Sequence, residues 1–388
     1  MRFIPYGKQN IDNNDIREVI KALKSDLITQ GPMVQKFEKR VAEYCRVKYA
    51  LAVSSGTAAL HLACLAAGLK KGDEAITSPI TFVATSNAVL YTGARPVFVD
   101  IDYETMNISA GKIKEKITAT TKAILSVNFA GLPCDMFEIY NIARRHGLIV
   151  IEDSCHALGS EYNESRTGSC RYSDMSIFSF HPVKHVTTGE GGMVTTNSKR
   201  FYEKMLALRS HGIYKRKEAL RKNGGWYYEM LDIGFNYRMT ELQAALGYSQ
   251  MNKLPEFLVR RSAIASMYDK AFNENLGDLV KLPAVDFPDR THAWHLYVLR
   301  LNEKRCRISR RGLYQRLHDK GIGAQVHYIP VTSHPYYRSK GYKTSEFCNA
   351  QRFYNNTISL PLHPGMSDKE VLYVAKTVIG VLCSRSVQ

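Results

Sequence analysis

The chain has 388 residues, more than one hydrophobic core usually serves, with 45% hydrophobic and 23% charged residues, the balance of a globular protein that folds. Lysine and arginine number 53 against 36 acidic residues, and the resulting charge of +17 suits polyanionic partners, either nucleic acid or anionic small molecules. No apolar run reaches the ~18 residues of a membrane span, the opening MRFIPYGKQNIDNNDI has no signal-peptide core, and eight scattered cysteines lack metal-ligand or paired spacing, so a cytoplasmic protein with reduced thiols and no metal is expected.

Residues 12–45 read as two helices linked by LITQGPM (27–33), and the first unit, 1–45, is an N-terminal arm. From about 48 to 200, short apolar runs alternate with helical patterns. YALAVSS (49–55) precedes GTAALHLACLAAGL (56–69), EAITSP (74–79) precedes TFVATSNAVLYTG (81–93), and PVFVDI (96–101), AILSVNFAG (123–131) and LIVIED (148–153) follow. SIFSF (176–180) and GMVTTN (192–197) close the series. The runs are continuous where half-exposed strands would alternate, which predicts a mostly parallel α/β sheet covered on both faces. A large domain is expected over 46–250. A helical stretch over 234–275 should break near Pro255, because proline lacks an amide donor and clashes with the preceding turn. Residues 251–388 mix strands such as HLYVLRL (295–301) with helices such as SRRGLYQRLHDKG (309–321), a smaller α+β domain. The basic clusters 211–222 and 303–311 do not interleave several aromatics, and no basic arm or helix-turn-helix extension is visible. They therefore read as solvated faces or a mobile loop, and nucleic acid is not an expected partner.

Four features fall at the carboxyl ends of predicted strands, where ligands of open α/β sheets gather. SSGTAAL (54–60) places Gly56 and Thr57 at a helix start that suits a phosphate or is an ordinary N-cap. Glu152 and Asp153 end a buried strand, where a carboxylate is expensive unless a cation or strong donor meets it, and where it could equally salt-bridge an arginine or cap the next loop. Lys184 follows the run ending in Ser179 and Phe180. In low-dielectric surroundings such a lysine becomes a nucleophile toward a carbonyl, though a lysine after a strand is also a common surface residue. Phe82, read as starting a helix, is either a core residue or a platform for a flat ring. Together, a phosphate seat, an acid, a Schiff-base lysine and an aromatic are the parts that hold pyridoxal 5'-phosphate (PLP).

The runs SGTAALHLA, ITSPITFVATSNAVLYTGARPVFVDID, IEDSCHALGSEY, SFHPVKHVTTGEGGMVTTN, RSHGI and GFNYRMTELQAALG resemble the DegT-like nucleotide-sugar aminotransferases, from about residue 3 to 380. The resemblance implies PLP-dependent transferase fold type I, aspartate aminotransferase-like, and a homodimer with shared active sites. It implies that Lys184 bonds to the cofactor and moves the proton, that Asp153 meets the pyridine nitrogen, and that His156 lies near the phenolic oxygen. Phe82 would stack on the ring, Gly56, Thr57 and Ser179 would hold the phosphate, and Asn236 would reach it from the partner subunit. Dehydratases of the family carry histidine in place of this lysine, so Lys184 implies transamination; a regulator or non-catalytic binding protein on this fold is the alternative of another class. PYGKQNID, LITQGP, GSEY and AQVHYIPVTSHPYY look most like members that aminate C4 of a UDP-linked 4-keto-6-deoxy-2-acetamido sugar of L-arabino configuration, with glutamate as donor, in pseudaminic acid biosynthesis. In that group Tyr6, the segment Asp26, Leu27, Ile28 and Thr29, and the segment Gln325, Val326, His327 and Tyr328 line the sugar-nucleotide site. Aromatic packing in core or interface is the other reading of Tyr328. Val331, Thr332 and Ser333 depart from the group's pattern and leave open a D-configured sugar or another nucleotide.

Overall fold

The computed structural model describes residues 3–214 and 217–384; residues 215–216 of the basic stretch 211–222, and 1–2 and 385–388 of the terminal units, lie outside the described residues. Two helices open the chain. Helix α1 (Asn13–Leu23) starts from a capping box of Asp12 and Asp15, and α2 (Pro32–Cys45) starts at a proline whose missing amide costs nothing in a first turn. Strand β1 (Tyr49–Val53) leads into α3 (Gly56–Ala66), and β2 (Glu74–Thr77) precedes α4 (Ala84–Tyr91). Then come β3 (Arg95–Phe98), β4 (Thr121–Val127), α5 (Met136–His146), β5 (Ile149–Asp153), β6 (Met175–Ser179), β7 (Gly192–Thr196) and α6 (Lys199–Leu208).

Seven strands form one sheet in the order β1-β7-β6-β5-β4-β2-β3. The pairs from β6 to β3 are parallel, and β7 is antiparallel to both β1 and β6. The apolar runs are buried because helices cover both faces: Leu51, Val53, Leu125, Ile151 and Ile177 pack with α3, while Ile76, Ile124 and Val150 pack with α5. The expected mostly parallel sheet is therefore present.

Helix α7 (Glu241–Asn275) corrects two expectations: it begins at Glu241, so residues 234–240 are not helical, and it runs unbroken through Pro255. Pro255 is exposed, while Leu254 and Phe257 beside it are buried. Packing of α7 against α1 and α2 offsets a defect that would end an isolated helix. Beyond it, β8 (Val280–Lys281), β9 (Tyr297–Leu301) and β10 (Thr357–Leu360) form an antiparallel sheet. Helices α8 (Arg310–Asp319) and α9 (Asp368–Cys383) cover it, around Tyr268, Tyr297, Leu299, Leu313 and Val374. Ile4 enters this core, and its backbone bonds Gly321 and Gly323, so the start of the chain is laced to its last third. No helix among the described residues is long and apolar enough to cross a membrane.

Candidate active site

A cavity of about 440 Å³ opens at the carboxyl ends of the parallel strands. At the end of β1, Ser55 caps α3 by accepting the Ala58 N–H at 3.1 Å, which leaves the Gly56 and Thr57 end of the helix facing the cavity. N–H groups of a first helical turn with no intrahelical acceptor, together with the helix dipole, suit this end to an anion. The chain is tight there: a Cβ on Gly56 would lie 2.9 Å from Ser179 Cβ, and one on Gly192 would lie 2.3 Å from the Ser55 carbonyl oxygen. Glycine is needed so that β1, β7 and the end of β6 can close around the seat.

The tandem carboxylates at the end of β5 divide their work, because successive residues of a strand face opposite sides of the sheet. Glu152 points away from the cavity and accepts from Asn128 and Ser173, and burial raises its pKa. Asp153 lines the cavity, 5% exposed, with Oδ2 accepting Thr85 Oγ1 at 2.7 Å and Oδ1 accepting the Cys155 N–H at 3.2 Å. Its hydrogen-bond partners are thus neutral donors: the arginine alternative is not what occupies it, while the contact to the Cys155 amide is the loop cap that was the other alternative, made by one oxygen only.

Lys184 follows β6 by five residues, its backbone N–H closing a turn onto the His181 carbonyl. Its side chain is half-buried in the cavity wall, and burial lowers its pKa, offset in part by Cys155 and Asp153. His156 is 6% exposed, with Nε2 3.2 Å from the Tyr328 hydroxyl and its ring 4.2 Å from that of His295. Burial first, then the Lys184 charge, pushes its pKa well down, so it is neutral, and its Nδ1 has no partner among the described residues.

At the cavity mouth, Tyr6 lies 5.3 Å ring to ring from His327, whose Nδ1 meets Ser359 Oγ at 2.9 Å and whose pKa burial lowers to about 3. Phe82 does not begin a helix as expected. It sits two residues ahead of α4, 57% exposed, with its ring 6.1 Å from that of Tyr328, so a core role is excluded and a ring-covering role has the geometry it needs.

Lys184, Asp153, His156, Gly56, Thr57, Ser179, Phe82, Tyr6, His327 and Tyr328 thus meet in one cavity. The other expected residues do not line it. Asn236 bridges to Ser210, Gln325 pairs with Ser359, and Val326 lies beside it in sequence. Asp26, Leu27, Ile28 and Thr29 lie in the loop between α1 and α2, where Thr29 bridges to Thr240 and Leu27 and Ile28 are 53% and 51% exposed. Ser55, Thr85, Cys155 and Glu190 also line the cavity. Thr85 could not be singled out in sequence, since its value lies in a contact 68 residues away.

The groups present fit PLP: an anion seat, a carboxylate held by neutral donors, a half-buried amine, and a buried imidazole with a free ring nitrogen. Residues 9–379 match the model of the DegT/DnrJ/EryC1/StrS aminotransferase family. The spore coat polysaccharide biosynthesis protein SpsC of Bacillus subtilis is 44% identical, over 97% of this chain and 96% of its own length. The UDP-4-amino-4,6-dideoxy-N-acetyl-beta-L-altrosamine transaminase of Campylobacter jejuni is 39% identical over 98% of this chain and 97% of its own. The solved structure of Helicobacter pylori PseC, an aminotransferase involved in the biosynthesis of pseudoaminic acid, superposes with a TM-score of 0.90 at 34% identity, covering 98% of this chain and 99% of that one.

Proposed function

The chain belongs to the DegT/DnrJ/EryC1/StrS aminotransferase family, and from that premise we propose that it moves the amino group of glutamate to C4 of a UDP-linked 4-keto-6-deoxy-2-acetamido sugar of L-arabino configuration, a step of pseudaminic acid biosynthesis. Aminotransferase activity and use of PLP come with the family. The observation that carries the reading is Lys184, an amine made easier to deprotonate by burial, in one cavity with Asp153.

When bound, PLP supplies an aldehyde for amines and an electron sink for the carbon next to nitrogen. Asp153 would hold the ring nitrogen's proton, while Ser55, Gly56, Thr57 and Ser179 would bind the phosphate and Phe82 would cover a ring face. Lys184 Nζ would take the proton from the α-carbon of glutamate and later deliver one to C4 of the sugar. A lowered pKa leaves more of this amine neutral near pH 7, the form that accepts a proton. His156, neutral, would bond the ring oxygen without adding charge. Tyr6 and Tyr328 would contact the nucleotide. His327, neutral with its Nδ1 on Ser359, would offer Nε2 to the diphosphate.

The Campylobacter relative's name carries the same nucleotide and the same 4-amino, 6-deoxy and N-acetyl groups, which supports this acceptor. The higher identity to SpsC favours a second reading in which the acceptor is another 4-keto-6-deoxy sugar nucleotide. We take the active unit to be a homodimer in which Asn236 serves the neighbouring copy's cavity. The exposed Trp226 (81%), Met230 (65%) and Ile233 (83%), just ahead of Asn236, offer an apolar face for that contact. The test is the visible spectrum of the PLP-loaded protein, with glutamate and then the UDP-4-keto sugar added. Bleaching by glutamate and recovery with this sugar is the expected outcome. Recovery only with a different sugar nucleotide would replace the acceptor, and no visible band with PLP would overturn the site.

A further inference from the structure

The first turn of α7 reaches two separate parts of the chain, Glu190 and the segment 28–34. Gln243 Nε2 donates to the Glu190 carbonyl at 2.8 Å, and Glu190 lines the cavity. Thr240 bridges to Thr29, and the Glu241 N–H donates to the Ile28 carbonyl at 3.0 Å. The Glu241 side chain, 1% exposed, accepts the N–H groups of Gly31, Met33 and Val34 at 3.0, 2.6 and 3.4 Å. A carboxylate 210 residues further along the chain thus caps α2 in place of a local side chain, for Gly31 at the N-cap has none to offer. Gly31 is close-fitted to it: a Cβ there would lie 2.8 Å from Glu241 Oε2 and 3.2 Å from Leu27 Cβ. The result is a fixed backbone for residues 28–34 that nevertheless holds Leu27 and Ile28 half out in solvent. A loop that is clamped yet presents apolar side chains outward is placed to meet something.

We propose that Glu241 is a positioning residue for the sugar-nucleotide half of the reaction, acting by holding the Asp26–Thr29 segment in its binding conformation. The inference rests on the reading that this segment contacts the sugar nucleotide, and it adds the residue that sets the segment's geometry. Neither Glu241 nor residues 26–29 line the cavity, so the role assigned to Glu241 runs through a segment that meets the sugar nucleotide beyond the cavity's own wall.

The two half-reactions separate a positioning role from general stability. In Glu241→Gln the amide keeps one acceptor oxygen but turns an N–H toward one of the three donors it faces. The glutamate half-reaction, read as bleaching of the visible band, should keep its rate. The sugar half-reaction, read as recovery of the band, should lose about tenfold in kcat/KM, mostly through KM, as expected for loss of a charge-assisted contact. Gly31→Ala strains the same contact from the other side and should give the same split, which keeps the test informative if one variant folds poorly. Equal loss in both half-reactions would mean a structural role only and would overturn the proposal. A normal sugar half-reaction in both variants, with impaired Asp26→Ala and Ile28→Ala, would overturn the positioning role and leave the loop's substrate contact standing. Normal behaviour of Asp26→Ala and Ile28→Ala would remove the substrate contact itself, and the proposal with it.

Discussion

Asp153 ends β5 and Lys184 lies in the turn after the adjacent parallel strand β6, and their value lies in what they lack: Asp153 is bonded to Thr85 and the Cys155 amide, not to a guanidinium, and Lys184 is desolvated without being buried out of reach. Lys184→Ala should remove the visible band of the PLP-loaded protein and lower turnover by about 10²–10⁴-fold, the scale of a lost general acid–base group, while far-UV circular dichroism stays that of the parent. Asp153→Asn should keep the lysine-bound chromophore but slow both half-reactions by about 10²–10³-fold, the scale of one preorganised electrostatic partner, measured by rapid-mixing absorbance. Asp153 was legible in the sequence because it ends a buried apolar run, where a carboxylate is too costly to leave unused, and Lys184 only through its company, a lysine after a strand beside an acid, an anion seat and an aromatic at neighbouring strand ends. Thr85 was not legible, since nothing near it in sequence announces Asp153.

At the scale of elements, the turn from β1 into α3 is a place where a single methyl group bears directly on the cavity. Gly56→Ala would place a Cβ 2.9 Å from Ser179 Cβ; if this helix start holds the PLP phosphate as proposed, strain of about 1–3 kcal/mol there should weaken PLP binding about tenfold or more, read by titrating the visible band. Helix α7 makes the opposite case. Pro255 is exposed, so Pro255→Ala adds no clash, restores a donor to the Met251 carbonyl and should stabilise the protein by about 1–3 kcal/mol in urea unfolding. The predicted break at Pro255 followed from a local rule. The helix continues because its buried face, through Leu254, Phe257 and Ile264, is held by other elements, and such packing cannot be read from a local window.

Across the whole molecule, several histidines are kept neutral by burial, and of these His327 lines the cavity. His292 and His327 are lowered to about 3 and His363 to about 4, against the ordinary 6.5. Between those values the unfolded chain binds protons that the folded one refuses, so stability is full above about pH 6.5 and falls as the pH drops toward 4. The melting temperature should therefore be flat from pH 7 to 8 and decline steadily below about 6.5, and the decline should be shallower in His292→Asn/His363→Asn. A melting temperature that stays level down to pH 4.5 would contradict the burial assigned to these rings.

The sequence by itself determined the layered α/β order, the mostly parallel sheet and the chemistry at its strand ends, because continuous apolar runs and costly polar residues at their ends are local patterns with one economical explanation. Tertiary structure alone decided how the two carboxylates of β5 divide, which segments converge on Lys184, and how α7 runs through Pro255 while its first turn clamps the loop after α1. Those outcomes depend on contacts between residues tens to hundreds of positions apart, and such contacts exist only once the chain has folded.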